Sequence, residues 1–462
     1  MPKKSTPENS PRGYVLAVAV LVILVILLMA VPFMFKLSAQ FRITEKSFKS
    51  AMAFHLAEAG IDRALWELNN WSVSPWVEGE DGVLTLTIHD MTTSDEEVVG
   101  DIHIRVMPPS GENRMLEAKG QVPFVGPWTV DRTVRVNLEK HLRSIFDFGF
   151  FAHQGIEAKT NLFVDSYDSR EGAYGTGNER GTKGHTGTNN TQNQSIFISQ
   201  GSSSEIYGNL ASGFGTDPEG IDEVIDIPEG TDFRGEKRIL PSEFEMPEVD
   251  LLNLPPRDLF ENDYDFSTWY DEYGELDMAT YYRGDFQSIK KETTILTQDD
   301  SGVYSSFEIV TNSTVRIEGN VALYITDPNG AEFLMKNNSS LEIADGSCLT
   351  LILGNTSFYM NNNTVQNSSQ VPSNLIILGT DEFTGEMTWE NNVDTHAAIY
   401  VPRAAVNFSN ANVDLYGAVV CNYLEFKNNM DVHYDEALAE LSWIKGGIPY
   451  WVVVSWQDRR AQ

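Results

Sequence analysis

Carboxylate pairs, one histidine and two cysteines are the residues whose types and spacing offer chemistry. Asp165 with Asp168, and Asp263 with Asp265, are close pairs. Glycosidic acid–base chemistry needs two carboxyls flanking one bond, and Ca²⁺ needs six to eight oxygen ligands. Close pairs also arise from composition alone in a chain with 66 acidic residues. The expectation is therefore no cofactor and no catalytic residue, with Asp165 and Asp168 as weak candidates for a structural Ca²⁺. His433, followed by Tyr434, Asp435 and Glu436, has the makings of a base or a ligand. It stands where the pattern turns to Ala437–Leu441, so Asp435 reads better as the cap of a short helix. His185 and His396 have no ligand partners at useful spacing. Cys348 and Cys421 each lie in an apolar run. They leave two readings, a disulfide in an exported protein or two buried small hydrophobes. No P-loop, EF-hand loop or G-x-S-x-G stands in a supporting context.

The elements that must position these residues follow from composition and pattern. The 462 residues hold 33 basic and 66 acidic side chains, a net charge of −33. That balance argues against nucleic acid, whose phosphates must be neutralised by Lys and Arg. Two cysteines exclude a disulfide scaffold and a multi-cysteine metal site. A basic leader (1–13) precedes an uncharged apolar run, Tyr14 to Phe35. Twenty-two residues at 1.5 Å rise reach about 33 Å, the thickness of a bilayer core. The flanking charge places the N-terminus in the cytoplasm and the remainder outside. The run is too long for a cleaved secretory signal. Helix formers continue to Leu68, with Phe41, Phe48, Met52 and Ala59 on one face, and Pro32 predicts a kink near the membrane exit.

A short basic leader ending in Gly13, a hydrophobic helix from Tyr14, and the extension Ala51–Leu65 with its Ala57-Glu58-Ala59-Gly60 box resemble a class III (type IV pilin-like) signal and the N-terminal domain of PilX-type minor pilins. The resemblance implies cleavage by prepilin peptidase between Gly13 and Tyr14. It also implies residence in the inner membrane, followed by packing into a filament with other pilins or pseudopilins on an inner-membrane assembly platform. Major pilins carry Glu at the fifth position after the cut, where this chain has Val18. That departure implies a low-copy or tip position.

Val83–Ile88, Val99–Val106 and Thr129–Leu138 alternate apolar and polar residues, the signature of half-buried strands, and place Val134, Val136 and Leu138 on a core face. Arg132, Arg135, Lys140 and Arg143 read as the solvated side and flanks of the last strand. From about residue 150, Asn320, Asn338 and Asn355, then Asn391, Asn410 and Asn428, recur at 17 to 19 residues between short β runs. That recurrence predicts a solenoid. The segments 164–169, 206–209, 398–403, 415–418 and 433–436 resemble motifs of the β-helical domain appended to many PilX-type proteins. The expected fold class is α+β, a long helix plus an antiparallel sheet, followed by a mainly β, right-handed β-helix. The divisions are a leader (1–13), a pilin helix (14–70), a sheet domain (71–145), solenoid blocks (146–216 and 281–436), an acidic insertion (217–280) and a C-terminal cap (437–462). Residues 217–277 alone carry twenty acidic and four basic side chains. Trp269, Tyr270 and Tyr273 offer docking points for that insertion.

The function expected is a non-enzymatic minor pilin-like filament component. It would be single-pass in the inner membrane before assembly and on the cell surface after it, with a head for adhesion to a surface glycan or protein receptor. The alternatives are a membrane-anchored enzyme acting on polysaccharide and a surface carbohydrate-binding module.

Overall fold

The computed structural model describes residues 12–69, 76–78, 83–92, 98–107, 113–124, 128–177, 180–199, 203–252, 254, 265–390, 393–409, 413–441 and 444–459. The leader residues 1–11, Asp263, Asn391 and Asn410 lie outside them. The chain forms two compact units. The first comprises residues 1–66, 75–139 and 453–462, and the second 67–74 and 140–452.

The first unit is built on helix α1 (Arg12–Asn69), 58 residues long and continuous through Pro32. It is the one helix, among the described residues, long and apolar enough to cross a membrane. Gly13 and Tyr14 lie in its first turn. Strands β1 (Val77–Glu78), β2 (Leu84–Thr92), β3 (Val98–Met107), β4 (Asn113–Pro123) and β5 (Thr129–Ser144) follow. They pair antiparallel in sequence order, so the expected antiparallel sheet is present. Val134, Val136 and Leu138 are fully buried, as their alternation requires. The helix packs on the sheet through Ala53, Leu56, Ala57, Gly60, Ile61 and Ala64, all buried. These positions follow the i, i+3, i+4, i+7 stripe of a packed helix. The face that carries Phe41 and Phe48 points elsewhere: they are 68% and 63% exposed, and Ala59 is exposed. Small residues win the contact because the backbones come close. A Cβ on Gly60 would stand 2.6 Å from Ile102 Cγ2 and 3.0 Å from Ala118 Cβ. Three of the basic residues of β5 are paired: Arg132 with Asp458 and Ser50, Arg135 with Glu117, and Lys140 with Glu245.

The expected right-handed β-helical solenoid is corrected. In the second unit, the strands from Phe150 to Asp435 include a single parallel sheet that closes into a β-barrel-like body carrying extra strands, beside a smaller four-stranded parallel sheet. The regular 17–19-residue repeat is absent. Paired residues are 28 apart at Asn320 and Cys348, 25 apart at Ala331 and Thr356, and 17 apart at Val413 and Met430. Val419 pairs with Phe150 and Met430 with Leu162, so strands of 150–212 and of 282–435 share one sheet. The strands enclose one apolar core. Through it runs a stack of Phe286, Phe307, Phe333, Phe358, Trp389, Phe408, Phe426 and Phe150, with ring centroids 4.3 to 5.8 Å apart. In-register pairing places like side chains over one another, and offset aromatic contacts add to their burial.

Part of the acidic segment joins this body: Ile225 pairs with Ile196, Asp232 with Glu205, and Lys237 with Leu210. Beyond it, Leu240, Phe244, Val249 and Leu251 form a second apolar cluster with Ala322, Ile352, Ile376 and Ala398. Trp269 is buried there and stacks on Tyr281, whereas Tyr273 is 82% exposed. The final strand, Lys445–Arg459, pairs in the six-stranded sheet that contains β1–β5, while Leu438, Ile444 and Ile448 join the second apolar cluster.

Candidate functional site

The parallel register assembles residues distant in sequence. Strands β6 (Phe150–Ala158) and β7 (Leu162–Tyr167) follow β5, and β7 pairs with Met430–Asp435, so that His433 stands beside Asp165 and Asp435 beside Tyr167. The preceding strands add Tyr416 beside His433 and His396 beside Tyr416. The rings overlap in a column, His396 to Tyr416 at 4.3 Å and Tyr416 to His433 at 4.7 Å, and Tyr174 covers His433 at 3.8 Å.

Asp165 is fully buried and accepts three hydrogen bonds, from His433 Nδ1 (2.7 Å), Tyr174 Oη (2.8 Å) and the Arg180 backbone N–H (3.0 Å). Asp168 is engaged by Arg170 through both carboxylate oxygens, and that guanidinium holds its carboxyl below the usual range. The two aspartates are thus held by different protein partners. Among the described residues, no group of three or more His, Cys, Asp or Glu is arranged to hold a metal ion. Of the two readings of the cysteines, the structure has the buried thiols. Cys348 and Cys421 are separate buried thiols, the first donating to Asn320 Oδ1 and the second to the Tyr423 carbonyl. Burial pushes the Cys421 thiol far up, so it stays protonated.

A glycine-rich strap follows β7, with Gly172, Gly175 and Gly177 at positive φ. It is fastened to the parallel body by side chains of the 433–436 segment. Asp435 accepts from the Ser169 N–H and caps the short helix Glu436–Glu440 through the Ala437 N–H. Glu436 accepts from Ser166 Oγ and from Lys183. Arg170 reaches Glu440 at 2.6 Å. Burial raises the Asp435 carboxyl. Next to the strap lies a cleft of about 360 Å³ lined by Arg170, Lys183, His185, Asn209, Arg238 and Glu436, among others. His185 Nδ1 accepts from the Asn209 N–H at 3.0 Å. Burial, assisted by Arg238, pushes its pKa down to about 4, so the ring is neutral with its proton on Nε2.

Beside the ring column, Asp394, Asp414 and Asp431 stand in register on neighbouring strands. Burial, then Asp414, raises both Asp394 and Asp431. Like charges directly opposite are destabilising by about 0.2–1 kcal/mol. A raised carboxyl pKa means that the penalty is present at neutral pH and is relieved as pH falls through the folded-state value. Asp414→Asn should therefore raise the thermal midpoint at pH 7 and give a much smaller gain at pH 3.5. Equal gains at both pH values would remove the electrostatic explanation.

Asp265 caps the short helix Phe266–Trp269 by accepting from the Ser267 N–H, and the other residues singled out lie in α1. Val18 is 44% exposed, Pro32 is inside the helix, Glu58 bonds His55 at 3.1 Å, and Gly60 faces the sheet. Sequence reasoning identified Asp165 and His433 but did not join them. It missed Tyr174, Tyr416, Lys183 and Arg238. The available signal was the glycine density from Gly172 to Gly184, which marks a loop able to fold back.

Residues 260–441 match a family model described as a domain of unknown function, DUF7305. No curated protein matches the chain. Solved structures similar to it include the competence-associated pilin ComZ from Thermus thermophilus, at 13% identity and a TM-score of 0.33, with 89% of this chain and 97% of that chain covered.

Proposed function

We propose that this protein is a minor pilin-like component of a type IV pilus or type II-like secretion filament, low in copy or placed at a tip. In this reading α1 holds the chain in the inner membrane with its N-terminus in the cytoplasm. Prepilin peptidase cuts between Gly13 and Tyr14, and the helix then enters a filament with other pilins on an inner-membrane platform. The observation that carries the reading is the division of labour along α1. Its first part is apolar and outward-facing, from Val15 to Phe35, and its later part packs on an antiparallel sheet through the box that ends at Gly60. A helix apolar all round suits lipid or a helical bundle, and one with a single small-residue stripe suits a sheet. Val18 favours the low-copy position, because a carboxylate there would otherwise be available to a neighbouring chain. The second unit serves binding rather than catalysis in this reading, a role supported by the engagement of Asp165 and Asp168 in internal hydrogen bonds.

N-terminal sequencing of the protein purified from membranes with an active prepilin peptidase tests the processing step. Tyr14 should be the first residue, and Gly13→Asp should leave the leader attached. An intact Met1 in the presence of that peptidase would overturn the reading.

A further inference from the structure

We propose that the cleft beside the strap is a binding site for one neutral, polyhydroxylated ring, a saccharide unit without net charge. The inference names a ligand class for the second unit and holds whether or not the leader is cut, so the binding and processing experiments fail separately. Its size is the first argument. At about 360 Å³ the cleft has the volume of roughly a dozen water molecules. That lies at the small end of ligand sites, about 300–1,000 Å³.

The second argument is charge. The lining carries three cationic side chains (Arg170, Lys183, Arg238) and three anionic ones, a balance unlike the −33 of the whole chain. The cations are already neutralised: Arg170 by Asp168 and Glu440, Lys183 by Glu436 at 2.6 Å, and Arg238 by Glu236 at 2.8 Å. A charged ligand would have to displace one of these partners. A neutral ligand can use the remaining donor and acceptor positions of each pair without separating it. Guanidinium and ammonium groups supply donors, and carboxylates supply acceptors. A hydroxyl is both, so a ring carrying several hydroxyls fits a lining in which the two kinds alternate.

The third argument is preorganisation. Neutral His185 is fixed in one tautomer by the Asn209 N–H, which makes Nε2 a donor. The Tyr434 hydroxyl is occupied by the Phe146 carbonyl at 2.6 Å, so Tyr434 offers the cleft ring carbon rather than a polar group. The lining is otherwise mostly polar, with Tyr434 and Ala439 its apolar members, so hydroxyls rather than an apolar ligand face suit it. The strap supplies Arg170 and Lys183, each held in place by its ion pair.

Saturation-transfer NMR on the full chain in a non-glycoside detergent tests this, with glucose, galactose, mannose and N-acetylglucosamine as neutral probes and glucuronate and glucosamine as charged ones. At least one neutral sugar should receive saturation. Arg238→Met and Lys183→Met should each weaken its binding tenfold or more. Arg316→Met, which alters a different ion pair, with Glu318 and Glu342, should not. Lys183 has a 66% exposed side chain, so its replacement leaves the fold intact and keeps the test decisive if Arg238→Met does not fold. Silence from every neutral sugar, binding confined to the charged probes, or unchanged binding in a folded Arg238→Met or Lys183→Met protein would each overturn the proposal.

Discussion

Gly120→Ala should cost the helix–sheet unit more stability than Gly60→Ala, and Gly120→Val should prevent that unit from folding. The ranking follows from what each added carbon would strike. A Cβ on Gly60 meets side-chain carbons, Ile102 Cγ2 at 2.6 Å and Ala118 Cβ at 3.0 Å, which can shift at a typical overpacking cost of about 1–3 kcal/mol. A Cβ on Gly120 meets the Ala53 carbonyl oxygen at 2.1 Å, Leu56 Cβ at 2.8 Å and the Ala57 nitrogen at 2.9 Å. Two of those atoms are helix backbone and cannot move without displacing α1 from the sheet. The cost at Gly120 should therefore exceed about 3 kcal/mol. Thermal unfolding followed by the near-ultraviolet signal, with protease sensitivity of the 84–138 region as a second readout, checks the order. Equal midpoints for the two alanine variants would show that the helix does not need this close approach. If the filament reading holds, Gly120→Val protein should still insert and be cut after Gly13 yet fail to assemble, because the membrane segment does not depend on the sheet.

How much of this was legible in the sequence depends on the range of the interaction. α1 and strands β2, β3 and β5 follow from local periodicity, and the buried Val134, Val136 and Leu138 sit where alternation puts them. β4 escaped because its helix-facing residues, Leu116, Ala118, Gly120 and Val122, include two too small to register as an apolar stripe. The same bias toward large side chains hid the small-residue stripe, Ala53, Ala57, Gly60 and Ala64, by which the helix meets the sheet. In the parallel body the asparagine signal was real but was read with the wrong members. Asn312, Asn338 and Asn362 occupy the left-handed region, with φ of 61°, 56° and 52°, and they recur at steps of 26 and 24 rather than 17 to 19. Asparagine tolerates that conformation, which most residues avoid. Asn320 and Asn355 do other work: Asn320 begins a strand and accepts from Cys348, while Asn355 donates to the Asp327 carbonyl. Choosing them set a repeat that the register does not follow, and the solenoid expectation failed with it. The site was hidden for a related reason. His433 and Asp165 are 268 residues apart, and only the pairing of Val432 with Val164 brings them together. Single-strand patterns specify faces, not partners.

Asp165→Ala should release the strap. The carboxylate is fully buried and is the common acceptor for His433 Nδ1, the Tyr174 hydroxyl and the Arg180 N–H. Truncation leaves those donors facing a gap, and each buried donor left unsatisfied costs about 1–3 kcal/mol. Because the strap contains Arg170, Arg180 and Lys183, the loss can be read as trypsin cleavage. Local opening that becomes easier by 3 kcal/mol should speed nicking by roughly 100-fold when cleavage is slow relative to reclosing. Tyr174→Phe removes only one of the three hydrogen bonds and keeps the ring over His433, so its nicking should rise by about tenfold or less. The remaining fastenings, Asp435 to the Ser169 N–H and Glu436 to Ser166 and Lys183, should keep the ends of the strap in place. The cuts should therefore concentrate at Arg180. Nicking of Asp165→Ala at the wild-type rate would mean that the strap is held by its ends and that Asp165 serves the parallel body alone.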